Sequence, residues 1–310
     1  MFISVVIPTY NRRPILEKCL LALREQSWDA SLPLSDYEVI VVDDGSTDET
    51  IPWLASLQTQ FPRLRVFEQP HQGPAAARNV GVLEAQGDTI IFIDSDLVVT
   101  STFLASHAQA LAQGIQDHGP KVFTYGRVIN TANFDNPAAE SYKLTDFSAA
   151  YFATGNVAIA KQWLLKAGLF DTQFSLYGWE DLELGVRLHN LGLKLLKCPA
   201  AVGYHWHPPF QLAQLPSLIA KERERGKMAV IFYRKHPTWR VRLMTQLTWG
   251  HRLLWRILTL NGLFNERTAA PFLTWLIKRE QAGLALEVAR IFLNWYCVES
   301  TYAALAQEPN

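Results

Sequence analysis

"YEVIVVDDGSTDET" (Tyr37 to Thr50) carries the signals of a strand, a turn and a helix within fourteen residues. Its first part is an apolar run rich in β-branched residues, which is typical of a strand buried on both faces. The glycine, serine, threonine and aspartate that follow supply turn and helix-capping residues, and a helix is predicted to reach about residue 60. A buried strand that leads directly into a helix is the repeating unit of an α/β protein.

The same unit recurs on both sides of this segment. Upstream, "ISVVIP" predicts a strand over residues 3–8, and residues 13–26 form a predicted helix with Pro14 in its first turn. Downstream come a third strand, "LRVFE", a helix over residues 73–87 and a fourth strand, "TIIFIDSD". The sequence therefore predicts a Rossmann-like, mostly parallel sheet with helices on both faces.

The pattern changes twice along the rest of the chain. It becomes mixed α and β after about residue 120, and almost wholly helical from about residue 211. We therefore predict an α/β ligand-binding and catalytic domain over residues 1–215 and a helical C-terminal extension over residues 216–310. A chain of 310 residues with 49% hydrophobic residues is long enough to bury cores of this size.

Composition narrows the class of protein. The formal net charge is zero, which gives no overall attraction to nucleic acid. The cysteines Cys19, Cys198 and Cys297 are far apart and odd in number, which favours free buried thiols in a reducing compartment. No uncharged apolar run reaches the length of about 18 residues that a spanning helix needs, and no basic region precedes the N-terminal apolar run. We therefore expect a cytoplasmic protein, soluble or peripheral to a membrane.

Polar residues collect where the predicted strands end. Tyr10, Asp43, Asp44, Asp94 and Asp96 all fall at strand carboxyl ends, where open α/β sheets bind ligands. In "IIFIDSD" two carboxylates lie one residue apart after an apolar strand, and burying such a pair is costly without a cation. Their oxygens suit Mg²⁺ or Mn²⁺. The alternative is an ordinary turn or helix cap after Asp94.

Two of these residues suit a nucleobase. Asp44 could accept a hydrogen bond from the imide N–H of a base, and Tyr10 could stack on its face. The alternatives are that Asp44 belongs to a tight turn and that Tyr10 packs in the core or at its rim.

"GWEDLELGVRLHNLG" (Gly178 to Gly192) places Glu180 and Asp181 at the start of a predicted amphipathic helix. Acids there complement the helix dipole, which is one explanation of their position. A carboxylate at this place could also take a proton from a substrate. Trp179 could present an apolar face to a sugar ring, or it could simply pack.

Five segments occur in one order along the chain: "VVIPTYNR", "VIVVDDGSTDET", "GPAAARNVG", "IIFIDSD" and "GWEDLELGVRLHNLG". In this combination, residues 1–210 resemble an inverting family 2 glycosyltransferase with the glycosyltransferase A fold. The resemblance implies transfer of a sugar from a nucleotide-diphosphate sugar, usually a UDP-sugar, with Mn²⁺ or Mg²⁺ as cofactor. The implied acceptor is a hydroxyl of a glycan or lipid-linked glycan, in the synthesis of cell-envelope polysaccharide.

The resemblance also implies a role for each matching position. The nucleotide-sugar-binding residues would be Pro8, Tyr10, Asp43, Asp44, Arg78, Asp94 and Ser95, with the base at Tyr10 and Asp44 and the ribose at Asp94. The acceptor side would be lined by Gly155, Asn156 and Trp179. Asp96 would ligate the metal together with Asp94 and His205, Asp181 would be the catalytic base, and Glu180 would position the acceptor or Asp181.

In the inverting transfer that the resemblance implies, a proton acceptor and a metal would lie on opposite sides of the sugar. The acceptor hydroxyl attacks the anomeric carbon opposite the leaving diphosphate, so a carboxylate on the acceptor side takes its proton. A metal on the other side neutralises the departing diphosphate. Two alternatives stay open: a non-catalytic nucleotide-sugar-binding module, and a nucleotidyltransferase, although "PTYNRRP" lacks the glycine-rich loop of the latter.

"GYHWHPP" (Gly203 to Pro209) contains His205 and His207, two residues apart and therefore on one face of a strand. The resemblance implies that one of them is a further metal ligand. We favour His205, with His207 as the alternative; the third interpretation is a histidine pair that binds no metal.

The C-terminal extension is basic and rich in tryptophan. Residues 221–256 contain ten Lys and Arg against two Glu, a net charge of +8. Five of the ten tryptophans lie in the last quarter of the chain: Trp239, Trp249, Trp255, Trp275 and Trp295. A basic, tryptophan-bearing amphipathic helix suits the anionic inner face of the plasma membrane. The alternative is a helical subdomain with solvated or paired arginines; no nucleic-acid motif accompanies the charge, so no nucleic-acid partner is expected.

Overall fold

The computed structural model describes residues 1–307. These residues form two compact units: Met1–Thr172 with Glu180–Pro208, and Gln173–Trp179 with the residues from Pro209 onward. The units divide between Pro208 and Pro209, whereas the sequence predicts the division after residue 215. The segment Gln173–Trp179, which the sequence assigns to the first domain, belongs to the second unit.

The first unit is built on one eight-stranded sheet. Its strands are β1 (Phe2–Thr9), β2 (Asp36–Asp43), β3 (Leu64–Glu68), β4 (Thr89–Ile93), β5 (Leu97–Val99), β6 (Val122–Thr131), β7 (Asn156–Ala160) and β8 (Lys194–Trp206). They lie in the order β3-β2-β1-β4-β7-β6-β8-β5. Only β5 and β7 run against the others, so six of the eight strands share one direction. The predicted mostly parallel sheet is confirmed.

Helices cover both faces of this sheet. They are α1 (Arg13–Arg24), α2 (Thr50–Gln58), α3 (Pro74–Glu84), α4 (Phe103–His118), α5 (Lys161–Ala167) and α6 (Glu180–Asn190), with 3₁₀ turns at Pro137–Ala139 and Leu144–Asp146. Successive residues of β1 point to opposite faces. Val5 packs in the core that contains Leu16 of α1, and Val6 in the core that contains Val82 of α3. A strand buried on both faces explains why the sequence reads as a continuous apolar run.

The second unit is helical. After a 3₁₀ turn at Leu212–Gln214, its helices are α7 (Leu215–Lys235), α8 (Trp239–Met244), α9 (Trp249–Leu258), α10 (Glu266–Lys278) and α11 (Ala282–Gln307). Its core joins α7, α10 and α11 through side chains that include Ile219, Leu273 and Phe292. A Cβ on Gly226 of α7 would stand 2.4 Å from the carbonyl oxygen of Cys297 in α11, so only glycine allows this close approach.

None of the helices formed by residues 1–307 has the length and apolar character needed to span a bilayer.

Candidate active site

The carboxyl ends of β1, β2 and β4 bring the predicted nucleotide-binding residues to one edge of the sheet. These strands are parallel neighbours, and Thr9 at the end of β1 is paired with Asp43 at the end of β2. Pro8 precedes this pair, and Tyr10 and Asp44 follow it. The strand predicted from "TIIFIDSD" ends earlier, at Ile93, because the three residues that follow form a turn closed by a 3.0 Å hydrogen bond from Leu97 N–H to the Asp94 carbonyl.

Asp43 shapes the turn after β2. Its Oδ1 accepts hydrogen bonds from the backbone N–H groups of Gly45 (3.0 Å) and Ser46 (2.7 Å). The turn needs glycine at position 45, where φ is +82°. Asp43 is buried, and its Oδ2 has no hydrogen-bond partner among the described residues. This carboxylate therefore holds the loop that carries Asp44.

Asp44 fixes the loop between β3 and α3. Its buried carboxylate accepts hydrogen bonds from the Gln69 side chain at 2.6 Å and from the backbone N–H groups of Gln72 and Gly73 at 2.9 Å each. Most of its lone pairs are therefore already used within the protein.

His71 takes up the contacts that the sequence assigns to a nucleobase. Its Nδ1 lies 2.8 Å from Asp44 Oδ2, and its ring stacks on Tyr10 with centroids 4.5 Å apart. Tyr10 itself is 43% exposed, so it does not pack in the core, and the alternative of packing at the rim stays open beside base stacking. A base that stacked on this face of Tyr10 and bonded to Asp44 would have to displace His71.

Asp96, His205 and His207 form a group suited to a metal ion. One possible ligand atom from each of these three residues lies within 4.8 Å of the other two, and residues 1–307 contain no other such group of three. The group assembles because β5 pairs antiparallel with β8, which places Leu97 opposite His205. Both histidines therefore reach Asp96, whereas Asp94, the other predicted ligand, is not part of this group. Ser95 is buried between the two aspartates.

The surroundings of Asp96 keep it ionised. Nε2 of His205 lies 2.8 Å from Asp96 Oδ1, and Arg12 pairs with the other carboxylate oxygen. Burial opposes ionisation, but the hydrogen bond from His205 and the charges of His205 and Arg12 outweigh it and lower the pKa of Asp96 to about 2. Burial likewise opposes protonation of His205, but its contact with Asp96 raises its pKa; burial lowers the pKa of His207 to about 4.

Arg78 joins two of the predicted site carboxylates. Its Nη2 donates to Asp94 Oδ1 at 3.1 Å, and its Nη1 donates to Glu180 Oε1 at 3.2 Å. The guanidinium is buried and lies 5.7 Å from the centroid of the Phe170 ring. Arg78, predicted to bind the nucleotide sugar, thus links the turn after β4 to the start of α6.

Asp181 lies in the first turn of α6. Its Oδ1 accepts a 2.8 Å hydrogen bond from the backbone N–H of Leu182, and the backbone of Thr154 also hydrogen-bonds to it. Burial, and then the negative charge of Glu180, raise the pKa of Asp181 to about 7, while Arg78 limits the rise. A carboxyl group that titrates near neutral pH has the property required of a general base.

The two predicted acceptor-side residues of "ATGNVAIAK" have different surroundings. A Cβ on Gly155 would lie 3.4 Å from Asp94 Oδ2, so Gly155 borders the site. Asn156 is instead fully buried: its Oδ1 lies 2.8 Å from His107 Nε2, and its Nδ2 donates to two backbone carbonyls. Its polar atoms tie the strands together, so Asn156 does not line an acceptor site as the resemblance implies.

Trp179 belongs to the second unit. Its indole N–H donates to the Arg225 carbonyl at 2.8 Å, and its ring centroid lies 5.9 Å from that of Phe232. Its φ of +78° is uncommon for a residue with a side chain and represents local backbone strain. In the structure Trp179 therefore packs against its own unit, and contact between its ring and a sugar stays a prediction.

Comparison with known proteins settles the family. Residues 4–163, more than half of the chain, match the family model described as glycosyl transferase family 2. The chain belongs to glycosyl transferase family 2. Two curated relatives of this family 2 chain, the hyaluronan synthase of Pasteurella multocida and the chondroitin synthase of Escherichia coli, are each 29% identical over 245 residues. Each match covers 67% of this chain but only 25% and 35% of the respective relative.

A solved structure supports the fold of this family 2 chain. The mannosyltransferase PcManGT from Pyrobaculum calidifontis, in complex with GDP-Man and Mn²⁺, matches it with a TM-score of 0.58 at 20% identity. The match covers 99% of this chain and 88% of that chain. The predicted glycosyltransferase A fold with a helical C-terminal region is confirmed.

Two residues at this family 2 site, Arg12 and His71, and the buried His107 that contacts Asn156 were not predicted from the sequence. Arg12 follows β1 and His71 follows β3, so the strand-end argument that selects Tyr10 and Asp44 could have found both. His107 lies within α4 and contacts Thr124 and Asn156. No local pattern distinguishes it from other histidines on a helix.

Proposed function

We propose that this family 2 member is an inverting, metal-dependent glycosyltransferase that uses a nucleotide-diphosphate sugar. The observation that carries the proposal is the group of Asp96, His205 and His207, whose ligand atoms lie within 4.8 Å of one another, in the same unit as the carboxyl group of Asp181 at the start of α6. The three ligand atoms suit a divalent cation, and a carboxyl group whose pKa is raised by burial suits proton transfer. Both groups lie in the first unit.

The donor set at Asp96 fits a divalent cation. One ionised carboxylate and two imidazoles combine a hard oxygen with nitrogen ligands, which suits Mn²⁺ and, less well, Mg²⁺. When bound, the ion would neutralise negative charge on the leaving diphosphate. Arg12 contributes further positive charge at the same carboxylate.

Asp181 takes the proton of the acceptor hydroxyl. Glu180 positions the acceptor: one of its oxygens is held by Arg78, and the other, Oε2, has no hydrogen-bond partner among the described residues. Arg78 also pairs with Asp94, which we assign to the ribose. One guanidinium therefore holds a donor-side carboxylate and an acceptor-side carboxylate in fixed positions relative to each other.

The base is held by Tyr10 and Asp44 once His71 moves aside, and we favour UDP over other nucleotides. The acceptor is a glycan or lipid-linked glycan of the cell envelope, and the reaction takes place at the inner face of the plasma membrane. The three free, buried cysteines support a reducing compartment such as the cytoplasm.

Thermal unfolding in the presence of nucleotide sugars tests donor use and metal dependence together. A donor at about 100 times its Kd is expected to stabilise the protein by about 2.7 kcal/mol. We expect the Tm to rise with one UDP-sugar when Mn²⁺ is present, and not when EDTA is added. A rise that is equal with and without Mn²⁺ would contradict the metal, and no rise with any nucleotide sugar would contradict the donor class.

The pH dependence of kcat/KM tests the base. Asp181 acts only when deprotonated, so kcat/KM is expected to increase with pH and to level off above its raised pKa of about 7. Glu180→Gln removes a negative charge that raises this pKa, so the ascending limb should move to lower pH. Glu17→Gln, on the exposed surface of α1, is the matched control and should leave the limb in place. A limb that does not move in Glu180→Gln would contradict the assignment.

A further inference from the structure

The outer face of α9 is apolar and exposed. Its side chains are Trp249, Leu253, Leu254, Ile257 and Leu258, here called the α9 face. Trp249 is 76% exposed and Ile257 is 62% exposed, and α9 contains no buried residue. Their spacing of one, four and five residues places them on one side of the helix. An exposed apolar helix face of this kind is a candidate interaction surface.

The opposite side of α9 is attached to its own unit. Arg252 lies 3.7 Å from Glu299 and 4.6 Å from the Tyr302 ring centroid, both on α11. Trp255 donates from its indole N–H to the Gln246 side chain. Thr248 caps the helix by accepting a hydrogen bond from the backbone of His251. The helix is thus fixed with its apolar face outward.

The α9 face lies in a segment that carries only positive charge. Residues 239–263 contain four arginines and no aspartate or glutamate: Arg240, Arg242, Arg252 and Arg256. All four are exposed. Within residues 1–307, Arg240, Arg242 and Arg256 have no carboxylate at ion-pair distance. Arg256, three residues after Leu253, borders the α9 face, whereas Arg252 is paired with Glu299 on the attached side of the helix.

We propose that the α9 face docks on an anionic lipid bilayer, with α9 lying in the plane of the surface. Trp249 and the leucine and isoleucine side chains would enter the boundary between headgroups and acyl chains, and Arg240, Arg242 and Arg256 would pair with lipid phosphates. Leu260 (65% exposed) and Leu263 (70% exposed), in the turn after α9, continue the apolar surface. The inference rests on the membrane location in the proposed function, which it deepens by naming the docking surface; it does not depend on the transfer reaction, because docking requires neither donor nor acceptor.

Charge distinguishes this occupant from two others. A second copy of the chain docked face to face would bring the two sets of arginines together, which like-charge repulsion opposes. Nucleic acid would satisfy the arginines but would leave the aliphatic side chains in water. An anionic bilayer satisfies both parts of the surface at once.

Flotation of the full chain with vesicles tests the proposal. We expect the protein to float with vesicles of phosphatidylcholine and phosphatidylglycerol, and not with phosphatidylcholine alone. Binding should weaken from about 0.05 M to about 0.5 M salt, because the arginines are exposed. Replacing Arg240 and Arg256 together with Gln should reduce binding by roughly 25-fold, since each surface arginine contributes about fivefold. Trp249→Ser with Ile257→Ser should reduce it at least about tenfold.

Matched replacements elsewhere separate docking from general effects. Leu83→Ser, at an exposed position on α3, and Arg24→Gln, on α1, should float like the unmodified protein. Because the replaced side chains are exposed, all variants should keep the same Tm. Flotation that survives the Trp249 and Ile257 replacements would overturn the proposal. Absence of flotation would also overturn it. In that case, a dimer that the Trp249 and Ile257 replacements dissociate would indicate a second copy of the chain as the occupant, and binding to heparin would indicate a soluble polyanion.

Discussion

Asp181→Asn is expected to lower kcat by about 10²- to 10⁴-fold, the range that a positioned general base contributes. Asparagine has nearly the same shape but cannot take the proton of the acceptor hydroxyl. Donor binding, measured by thermal shift with a UDP-sugar and Mn²⁺, should be unchanged, because Asp181 lies on the acceptor side of the proposed site. Turnover should be measured at about pH 8, above the raised pKa of the group.

The free energy of unfolding of Asp181→Asn distinguishes a loss of the catalytic base from a loss of the folded structure. The pKa of Asp181 is higher in the folded chain than its ordinary value of 3.8. A raised carboxyl pKa means that its contribution to stability is greatest at low pH and is lost as pH rises through about 7. At about pH 8 the variant should therefore be at least as stable as the unmodified protein. Asp117→Asn, exposed on α4, is the control for activity. Full turnover in Asp181→Asn would contradict the base and favour a non-catalytic binding module.

Asp96→Asn is expected to lower the affinity for Mn²⁺ by at least about 100-fold, since even groups that only support a metal ligand change affinity by about 10- to 100-fold. The carboxylate has a pKa of about 2 and so carries a full negative charge at neutral pH. Its replacement also leaves Arg12 and His205 without their counter-charge. Calorimetric titration with Mn²⁺, with and without UDP, measures the loss independently of turnover.

The two histidines refine this test. His205→Ala and His207→Ala should each lower Mn²⁺ affinity, because both imidazoles lie within reach of Asp96. His205 should have the larger effect, since its Nε2 contacts Asp96 directly at 2.8 Å. His118→Ala, on the exposed C-terminal turn of α4, serves as the control. Unchanged Mn²⁺ affinity in all three site variants, or turnover that is insensitive to EDTA, would contradict the metal site.

Sequence patterns and tertiary contacts determine different parts of this site. Tyr10, Asp44 and Asp96 can be selected from the sequence as candidate site residues because an apolar, β-branched run predicts a buried strand, and parallel strands end at one edge of a sheet. The ordered motifs also identify the family from the sequence alone, because each motif is a short segment whose residues are close together in the chain. Asp181 can be selected as a candidate because it is an acid at a predicted helix start, whereas its raised pKa depends on burial and on Glu180.

The sequence by itself determined the family, the α/β sheet, the helical C-terminal region and the acids at strand ends, because these depend on periodicity and on residues close in the chain. Only the tertiary structure decided that Arg78 bridges to Glu180, 102 residues away, and that the side-chain oxygen of Asn156 hydrogen-bonds to His107, 49 residues away. It also decided that both His205 and His207 reach Asp96, through the pairing of β5 with β8. These contacts join distant segments, and their partners are fixed by strand register and side-chain packing.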